Sequence, residues 1–109
     1  MASYNINFSK KFGITWYNDS SIYCGEIESE RREGLGIEWV PGLYIYYGNY
    51  HQNYRSGYGV IKYNNEEVYA GMWAKDHYHG FGKIFSREGY VLECGTYRNS
   101  ELKTKGDFR

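Results

Sequence analysis

The sequence lacks an excess of charge of either sign, a long apolar run and an apolar leader. Thirteen basic residues balance thirteen acidic ones among 109 residues, so the formal net charge is zero. Proteins that bind nucleic acids normally carry a basic excess that neutralises phosphates, so we expect no nucleic-acid partner. No apolar run reaches bilayer length, and the amino-terminal residues lack the apolar core of a secretory signal. The sequence therefore predicts a soluble cytoplasmic protein, and its length fits one domain over residues 1–109.

Aliphatic residues are also too few for an ordinary globular core. The mean hydropathy is -0.75, yet aromatic residues make up 20% of the chain, with 14 Tyr, 5 Phe and 3 Trp. Tyrosine buries a large ring while its hydroxyl stays in contact with water or a hydrogen-bond partner. A compact globule would use more Leu and Val. The composition therefore predicts a thin structure in which tyrosine provides most of the packing.

A repeat of about 23 residues organises the chain. Four glycines are spaced by 23, 23 and 24 residues, and a Gly-x-Gly pair follows nine residues after each of the first three. The glycines of this lattice are Gly25, Gly34, Gly36, Gly48, Gly57, Gly59, Gly71, Gly80, Gly82 and Gly95. Five units tile the chain: a degenerate unit 1–22, the units 23–45, 46–68 and 69–92, and a truncated unit 93–109. Atypical terminal units are expected where a solenoid caps its open ends.

The unit at residues 69–92 shows how the period maps onto local structure. Residues 69–73 alternate like a strand, the polar residues 75–79 fit a turn, and residues 80–85 form the returning strand. Each unit is therefore predicted to be a β-hairpin, and five units give an all-β rod roughly 50 Å long at the usual strand spacing. Because glycine weakens strands, we expect an aromatic ring of the neighbouring unit to lie over the bare Cα atoms.

These residues resemble the MORN repeat (membrane occupation and recognition nexus), whose unit reads Tyr-x-Gly-x-Trp, a polar turn, Gly-x-Gly and a second aromatic strand. Residues 69–85, YAGMWAKDHYHGFGKIF, match nearly every defining position, and residues 46–63 follow closely with Tyr50 in place of Trp. Ile27 and Glu93 depart from the pattern. The resemblance implies an elongated, curved solenoid of β-hairpins, which form a single-layer antiparallel sheet with an aromatic groove. It also implies an adaptor at cytoskeletal, axonemal or membrane sites that binds a helix or an extended segment of a partner.

The candidate partner-binding groove consists of large side chains at equivalent positions of the units. A one-layer sheet has no second layer to cover these rings, so we expect some to remain exposed as an interaction patch. The alternative is that the rings only pack against neighbouring glycines. The groove residues are Ile27, Tyr46, Tyr50, Tyr69, Trp73 and Tyr97, with Tyr50 and Trp73 at the centre.

Catalytic and metal-binding patterns are missing from the sequence. It has no nucleophile elbow, P-loop or paired metal motif, so we expect neither an enzyme nor a cofactor. His51, His77 and His79 do not supply the ligand set of a metal site, which needs three or four ligands with supporting carboxylates. Cys24 and Cys94 lie three units apart, on the order of 30 Å, which is too far for a disulfide. We expect free thiols, as in a reducing compartment.

The leading functional hypothesis is a non-enzymatic scaffold, a small subunit of a cytoskeletal or axonemal assembly that binds a protein segment along its aromatic groove. The alternative is a peripheral module for anionic phospholipids, with aromatics inserted at the interface and Lys or Arg at the phosphates. A regulator that caps an enzyme is a third reading. The open edges of a short sheet also permit homo-oligomers.

Overall fold

Nine strands form one antiparallel sheet in residues 10–106, the part of the chain that the computed structural model describes. Each strand pairs with the strands before and after it in sequence, and β1 does not pair with β9, so the sheet is open. These residues contain no helix. The strands are β1 (Lys10–Trp16), β2 (Ile22–Glu28), β3 (Arg31–Val40), β4 (Tyr44–His51), β5 (Tyr54–Tyr63), β6 (Val68–Ala74), β7 (His77–Phe85), β8 (Val91–Arg98) and β9 (Glu101–Lys105).

The predicted all-β, single-layer antiparallel sheet is therefore confirmed. The predicted elongation is not, because the principal extents of 46 × 38 × 23 Å are not those of a rod. Residues 1–9 of the predicted opening unit and residues 107–109 of the last unit lie outside the described residues.

The sheet has two faces of different character, because successive side chains of a strand point to opposite sides. In β3, Glu38 faces the buried side and is 7% exposed, whereas Ile37 and Trp39 face the other side and are 41% and 50% exposed. We call the buried side the core face and the opposite side the outer face. The core face carries the buried cluster of Tyr23, Tyr46, Tyr50, Ile61, Tyr69, Trp73 and Tyr97.

A row of glycines crosses the sheet, one in each of the first eight strands. The strand registers place each of them opposite the next: Gly13, Gly25, Gly36, Gly48, Gly59, Gly71, Gly82 and Gly95. The space above the row is occupied: a Cβ added at Gly36 would lie 2.5 Å from Cζ of Tyr23. The other glycines of the lattice, Gly34, Gly57 and Gly80, have φ of 91°, 78° and 104°. They adopt the left-handed region that favours glycine.

Tyr23, Tyr46 and Tyr69 provide the rings that lie over this row. The Tyr46 ring lies over Gly59 of the following strand, and its hydroxyl donates to the main-chain oxygen of Asn49 at 2.8 Å. Asn49 is skipped in the β4–β5 pairing, because the register shifts between Gly48 and Tyr50. The expected ring over glycine is thus present, but it comes from the same hairpin rather than from the neighbouring unit.

The hairpin turns are shorter than the polar residues predict. Each has two residues, both with positive φ, which is the geometry of the tight type I′ turn. These turns are residues 29–30, 52–53, 75–76 and 99–100. The predicted turn at residues 75–79 is therefore wrong for its last three residues, which belong to β7. Within β7 the Tyr78 ring stacks on Tyr69, with centroids 3.7 Å apart.

Side chains of the turns also link successive hairpins. Asp76 Oδ1 accepts a hydrogen bond from the main-chain N–H of Arg55 at 2.8 Å, and its own N–H donates back to the Arg55 oxygen at 3.1 Å. Asn53 forms the same reciprocal pair with Arg32, at 2.9 and 3.0 Å. Short side chains that accept hydrogen bonds recur at this turn position because each one binds the main chain of the preceding hairpin.

Candidate functional site

The predicted groove residues all lie on the core face, where they pack against one another. Tyr46 and Tyr69 are 0% exposed, while Tyr50, Trp73 and Tyr97 are 3–4% exposed. Ile27 is partly buried against the same cluster. The exposures leave almost no ring surface on this face for a partner.

Edge-to-face contacts between hairpins explain how one layer buries its own rings. The Tyr46 ring contacts Tyr50 in its own strand and Trp73 two strands away, with centroid separations of 5.2 and 5.4 Å. Trp73 also donates its indole N–H to the Gly59 oxygen at 3.1 Å. Such ring pairs contribute about 0.5–1.5 kcal/mol each beyond their buried area. Each hairpin therefore covers the rings of the next, and no second layer is needed.

A buried carboxylate interrupts the aromatic core at one end. Glu38 occupies the position in the period that Ile61 holds in the next hairpin. Its carboxylate accepts hydrogen bonds from the Tyr50 hydroxyl at 3.0 Å and from Arg32 Nη1 at 2.9 Å. Burial, and then the charge of Glu38, raises the pKa of Tyr50 above its ordinary value. Because the Glu38 carboxylate is paired with Arg32 and hydrogen-bonded by Tyr50, its burial is compensated, and we assign it a structural role in the core.

Two arginines close the turn side of the core face. Arg32 lies 5.0 Å from the Tyr50 ring centroid, and Arg55 lies 4.7 Å from that of Trp73. Arg55 also pairs with Asp76, with Nε 3.1 Å from Oδ1. Guanidinium groups over aromatic faces are stabilising and shield the rings from solvent. The core face is thus covered by its own side chains.

The outer face carries the exposed apolar surface, which sequence reasoning assigned to the opposite side. Trp16 and Trp39 are 73% and 50% exposed and flank Ile22 in one cross-strand row. Ile37 and Tyr47, paired across β3 and β4, are 41% and 57% exposed. The exposed apolar side chains of this face are Phe12, Ile14, Trp16, Leu35, Ile37, Trp39, Ile45, Tyr47, Tyr58, Met72, Phe81 and Leu92. Contiguous surfaces of this kind mark interaction sites.

A groove of about 660 Å³ crosses the outer face from β5 to β9. Tyr58, Met72 and Phe81 provide apolar walls, and main-chain atoms of the glycine row form part of the floor. Two lysines, Lys83 and Lys105, also line it, and no acidic side chain is among its described lining residues. We call this feature the outer groove. It can bind an apolar ligand that carries negative charge.

None of the histidines lines the outer groove, whereas Cys94 is one of its lining residues. His51 Nδ1 lies 3.0 Å from Glu33 Oε2, and His77 Nδ1 lies 3.4 Å from Ser100 Oγ. Within residues 10–106 no group of three metal-ligating side chains is close enough to hold an ion. Cys24 is exposed and Cys94 is buried, and they do not form a disulfide. No helix in this part of the chain could span a membrane.

No protein-family model and no curated protein matches this chain.

Proposed function

We propose that this protein is a non-enzymatic scaffold that binds a segment of a partner protein against the outer face of its sheet. The observation that carries the proposal is the contiguous exposed apolar surface around Ile37, Trp39 and Tyr47. A soluble chain rarely leaves such a surface uncovered unless it forms an interface. Tryptophan and tyrosine are also enriched among the residues that dominate binding energies.

The proposal includes a curved solenoid of MORN-type repeats as the architecture of the chain. The 23-residue period of glycine and tyrosine supports it, as does the row of glycines that runs across eight strands. A repeat of this kind presents a long surface formed by equivalent positions. We further propose a cytoplasmic location and a place in a cytoskeletal or ciliary assembly, which rest on the resemblance to MORN proteins.

The binding surface proposed here differs from the aromatic groove expected from the sequence. Tyr50 and Trp73 are almost fully buried on the core face, so we expect them to stabilise the sheet and not to contact the partner. Truncating either of them would create a cavity and unfold the hairpins. A test of binding must therefore use outer-face residues, whose removal leaves the core intact.

Peripheral lipid binding is a second candidate, favoured by a specific row at the strand ends. Trp16 and Trp39 share this row with Lys62, and Leu43 in the adjoining loop is 60% exposed. Tryptophan and lysine are favoured at the bilayer interface, where rings insert and ammonium groups meet phosphates. Sedimentation with phosphatidylserine vesicles at low and high salt tests this candidate.

The test of the scaffold compares the wild-type chain with an Ile37→Ser/Trp39→Ser variant, both tagged and recovered from their native cells. The matched control is Tyr90→Ser, which removes an aromatic residue that is 73% exposed but lies in a loop. We expect one protein to co-purify stoichiometrically with wild type and control, and to be lost with the outer-face variant. The purified partner should then bind the variant at least about tenfold more weakly.

Equal circular dichroism spectra and melting temperatures would show that the outer-face variant is folded. Retention of the same partner by the folded variant would reject the outer face as the binding surface. The molar mass in solution tests self-association. If the mass of the wild-type protein rises with concentration while the variant keeps the mass of a monomer, the outer face binds a second copy of the chain instead of a partner protein.

A further inference from the structure

We propose that the outer groove is a binding site for a small planar aromatic anion, such as a fused-ring carboxylate or sulfonate. The inference goes beyond the scaffold function, because the groove spans β5 to β9, whereas the scaffold surface around Ile37, Trp39 and Tyr47 lies in β3 and β4. Four features of the groove support it: its size, its aromatic walls, the lysine on its floor and the pairing of its main chain.

The size of the groove fits a small molecule. Its volume of about 660 Å³ lies within the range of roughly 300–1,000 Å³ that is usual for small-molecule sites. The cross-strand row that contains Tyr47 continues to Ala70 in β6 and to Cys94 in β8. Because Ala70 and Cys94 are small, the outer face is lower there than around Tyr47. These two side chains therefore provide the depth of the groove.

Aromatic side chains form the walls of the groove. Tyr58 and Phe81 are 55% and 75% exposed, and Phe85 also lines the groove. Main-chain atoms of Gly71 and Gly82 form part of the floor between them. A flat ring system that lies on this floor can meet the walls edge to face, an arrangement that aromatic pairs prefer. The walls therefore favour an aromatic ligand.

Lys83 determines the charge of the ligand. It lies directly opposite Ala70 and Cys94 in the strand registers, is exposed, and forms no ion pair within residues 10–106. Lys105 also lines the groove but already has an interaction partner, so we assign the anionic group to Lys83. No acidic side chain is among the described lining residues. An ammonium group in an apolar groove favours a ligand with one negative charge beside its apolar surface.

Main-chain hydrogen bonding favours a small ligand over an extended peptide. The strands β6, β7 and β8 are paired on both sides, so their N–H and C=O groups are occupied. Among the described strands β9 pairs only with β8, and its other side is open. The open groups of β9 lie in the plane of the sheet, where they can pair with a further strand but not with a ligand on the outer face. An extended peptide in the groove would leave its own main chain unpaired, which is costly.

The experiment titrates the full chain with two fluorescent probes of similar shape. Anilinonaphthalene sulfonate is a planar aromatic anion, and phenylnaphthylamine is its uncharged counterpart. The emission of both rises in an apolar site, so a titration gives the dissociation constant and the stoichiometry of each probe. Amide NMR spectra locate the bound probe, and the signals of Gly71, Gly82 and Gly95, which line the groove, should shift.

We expect one anionic probe to bind per chain, about fivefold more tightly than the neutral probe. Lys83→Gln should remove that preference by weakening the anion alone, and its unchanged affinity for the neutral probe would show that the groove is folded. Ala70→Leu should weaken both probes at least about tenfold, because the added side chain fills the floor. Lys62→Gln, an exposed lysine on the outer face but outside the groove, is the matched control and should change neither affinity.

Three results would overturn the inference. These are equal binding of the two probes, unchanged binding of the anion by Lys83→Gln, and NMR shifts confined to the surface around Ile37 and Tyr47. The scaffold function is tested separately. Loss of the native partner from the Ile37→Ser/Trp39→Ser variant, without any probe binding in the groove, would reject the anion site and leave the scaffold standing.

Discussion

The hydroxyl of Tyr46 donates a hydrogen bond to the main-chain oxygen of Asn49, 2.8 Å away, while the ring of the same tyrosine lies over Gly59. The same bond joins Tyr23 to Glu26 and Tyr69 to Met72, each at 2.7 Å. In all three cases the acceptor is the one residue of the tyrosine's own strand that the pairing with the next strand skips. Tyrosine therefore has two roles at this position. Its ring packs over the glycine row, and its hydroxyl stabilises the register shift by binding the skipped residue.

Removing one of these hydroxyl groups should weaken the fold without creating a cavity. We expect Tyr46→Phe to lower the free energy of unfolding by about 1–2 kcal/mol, because the buried hydrogen bond is lost. Tyr47→Phe is the matched control, since that neighbouring ring is 57% exposed on the outer face, and it should change stability by less than about 0.5 kcal/mol. Urea unfolding measures both. Equal effects would mean that the bond to Asn49 adds no stability.

The row of glycines predicts a second pair of variants. A Cβ at Gly59 would lie 2.5 Å from Cζ of Tyr46, so Gly59→Ala should displace the ring and cost about 3 kcal/mol. Gly42→Ala is the control: its Cβ would meet open space, but its φ of 78° is strained for alanine, at about 1 kcal/mol. Thermal unfolding compares them. A Gly59→Ala protein as stable as Gly42→Ala would contradict the close contact.

Much of the fold follows from the spacing of glycine and tyrosine. The lattice predicted strands on both sides of each tight turn, and the registers place Gly25 opposite Gly36 and Gly48 opposite Gly59. A β-hairpin depends on contacts between residues close in sequence, so a period of 23 residues carries enough information to define it. A ring also lies over the bare Cα atoms, but it belongs to the same hairpin and not, as the sequence predicted, to the neighbouring unit.

The exposed face could not be chosen from the sequence. In β3, Leu35, Ile37 and Trp39 alternate with Gly36 and Glu38, so the apolar side chains point away from the core. Alternation alone would bury these three residues and expose Glu38. The outcome depends on tyrosine rings of neighbouring hairpins that cover one another, and on Arg32 and Tyr50, which satisfy the Glu38 carboxylate. Those contacts depend on the strand register and on side-chain geometry.

The turn side chains that link hairpins can be tested with one conservative substitution. Asp76→Ala removes the acceptor for the Arg55 main-chain N–H and should lower the free energy of unfolding by about 1 kcal/mol. Asp76→Asn should restore most of that loss, because Asn53 accepts the same bond in the preceding hairpin. Urea unfolding of the two variants decides the point. If Asn rescued nothing, the ion pair with Arg55 would carry the effect instead of the main-chain bond.

High pH should unfold the sheet through its tyrosines. Burial is the largest cause that raises the pKa of seven tyrosines above their ordinary value near 10: Tyr23, Tyr44, Tyr46, Tyr50, Tyr69, Tyr78 and Tyr97. Below pH 10 these groups are neutral in both the folded and the unfolded chain. Above pH 10 only the unfolded chain loses their protons, so the stability is present below the unfolded pKa and is lost as pH rises beyond it.

Each buried tyrosine should therefore lower stability by about 1.4 kcal/mol per pH unit above pH 10, and the effects add until the sheet unfolds cooperatively. Absorbance at the wavelength of tyrosinate, recorded together with circular dichroism, compares the ionisation of these tyrosines with the loss of the strands. The buried rings should ionise only as the strand signal disappears. Ionisation of all 14 tyrosines with the strand signal unchanged would show that the rings on the core face are accessible to solvent. That result would return the binding surface to Tyr50 and Trp73.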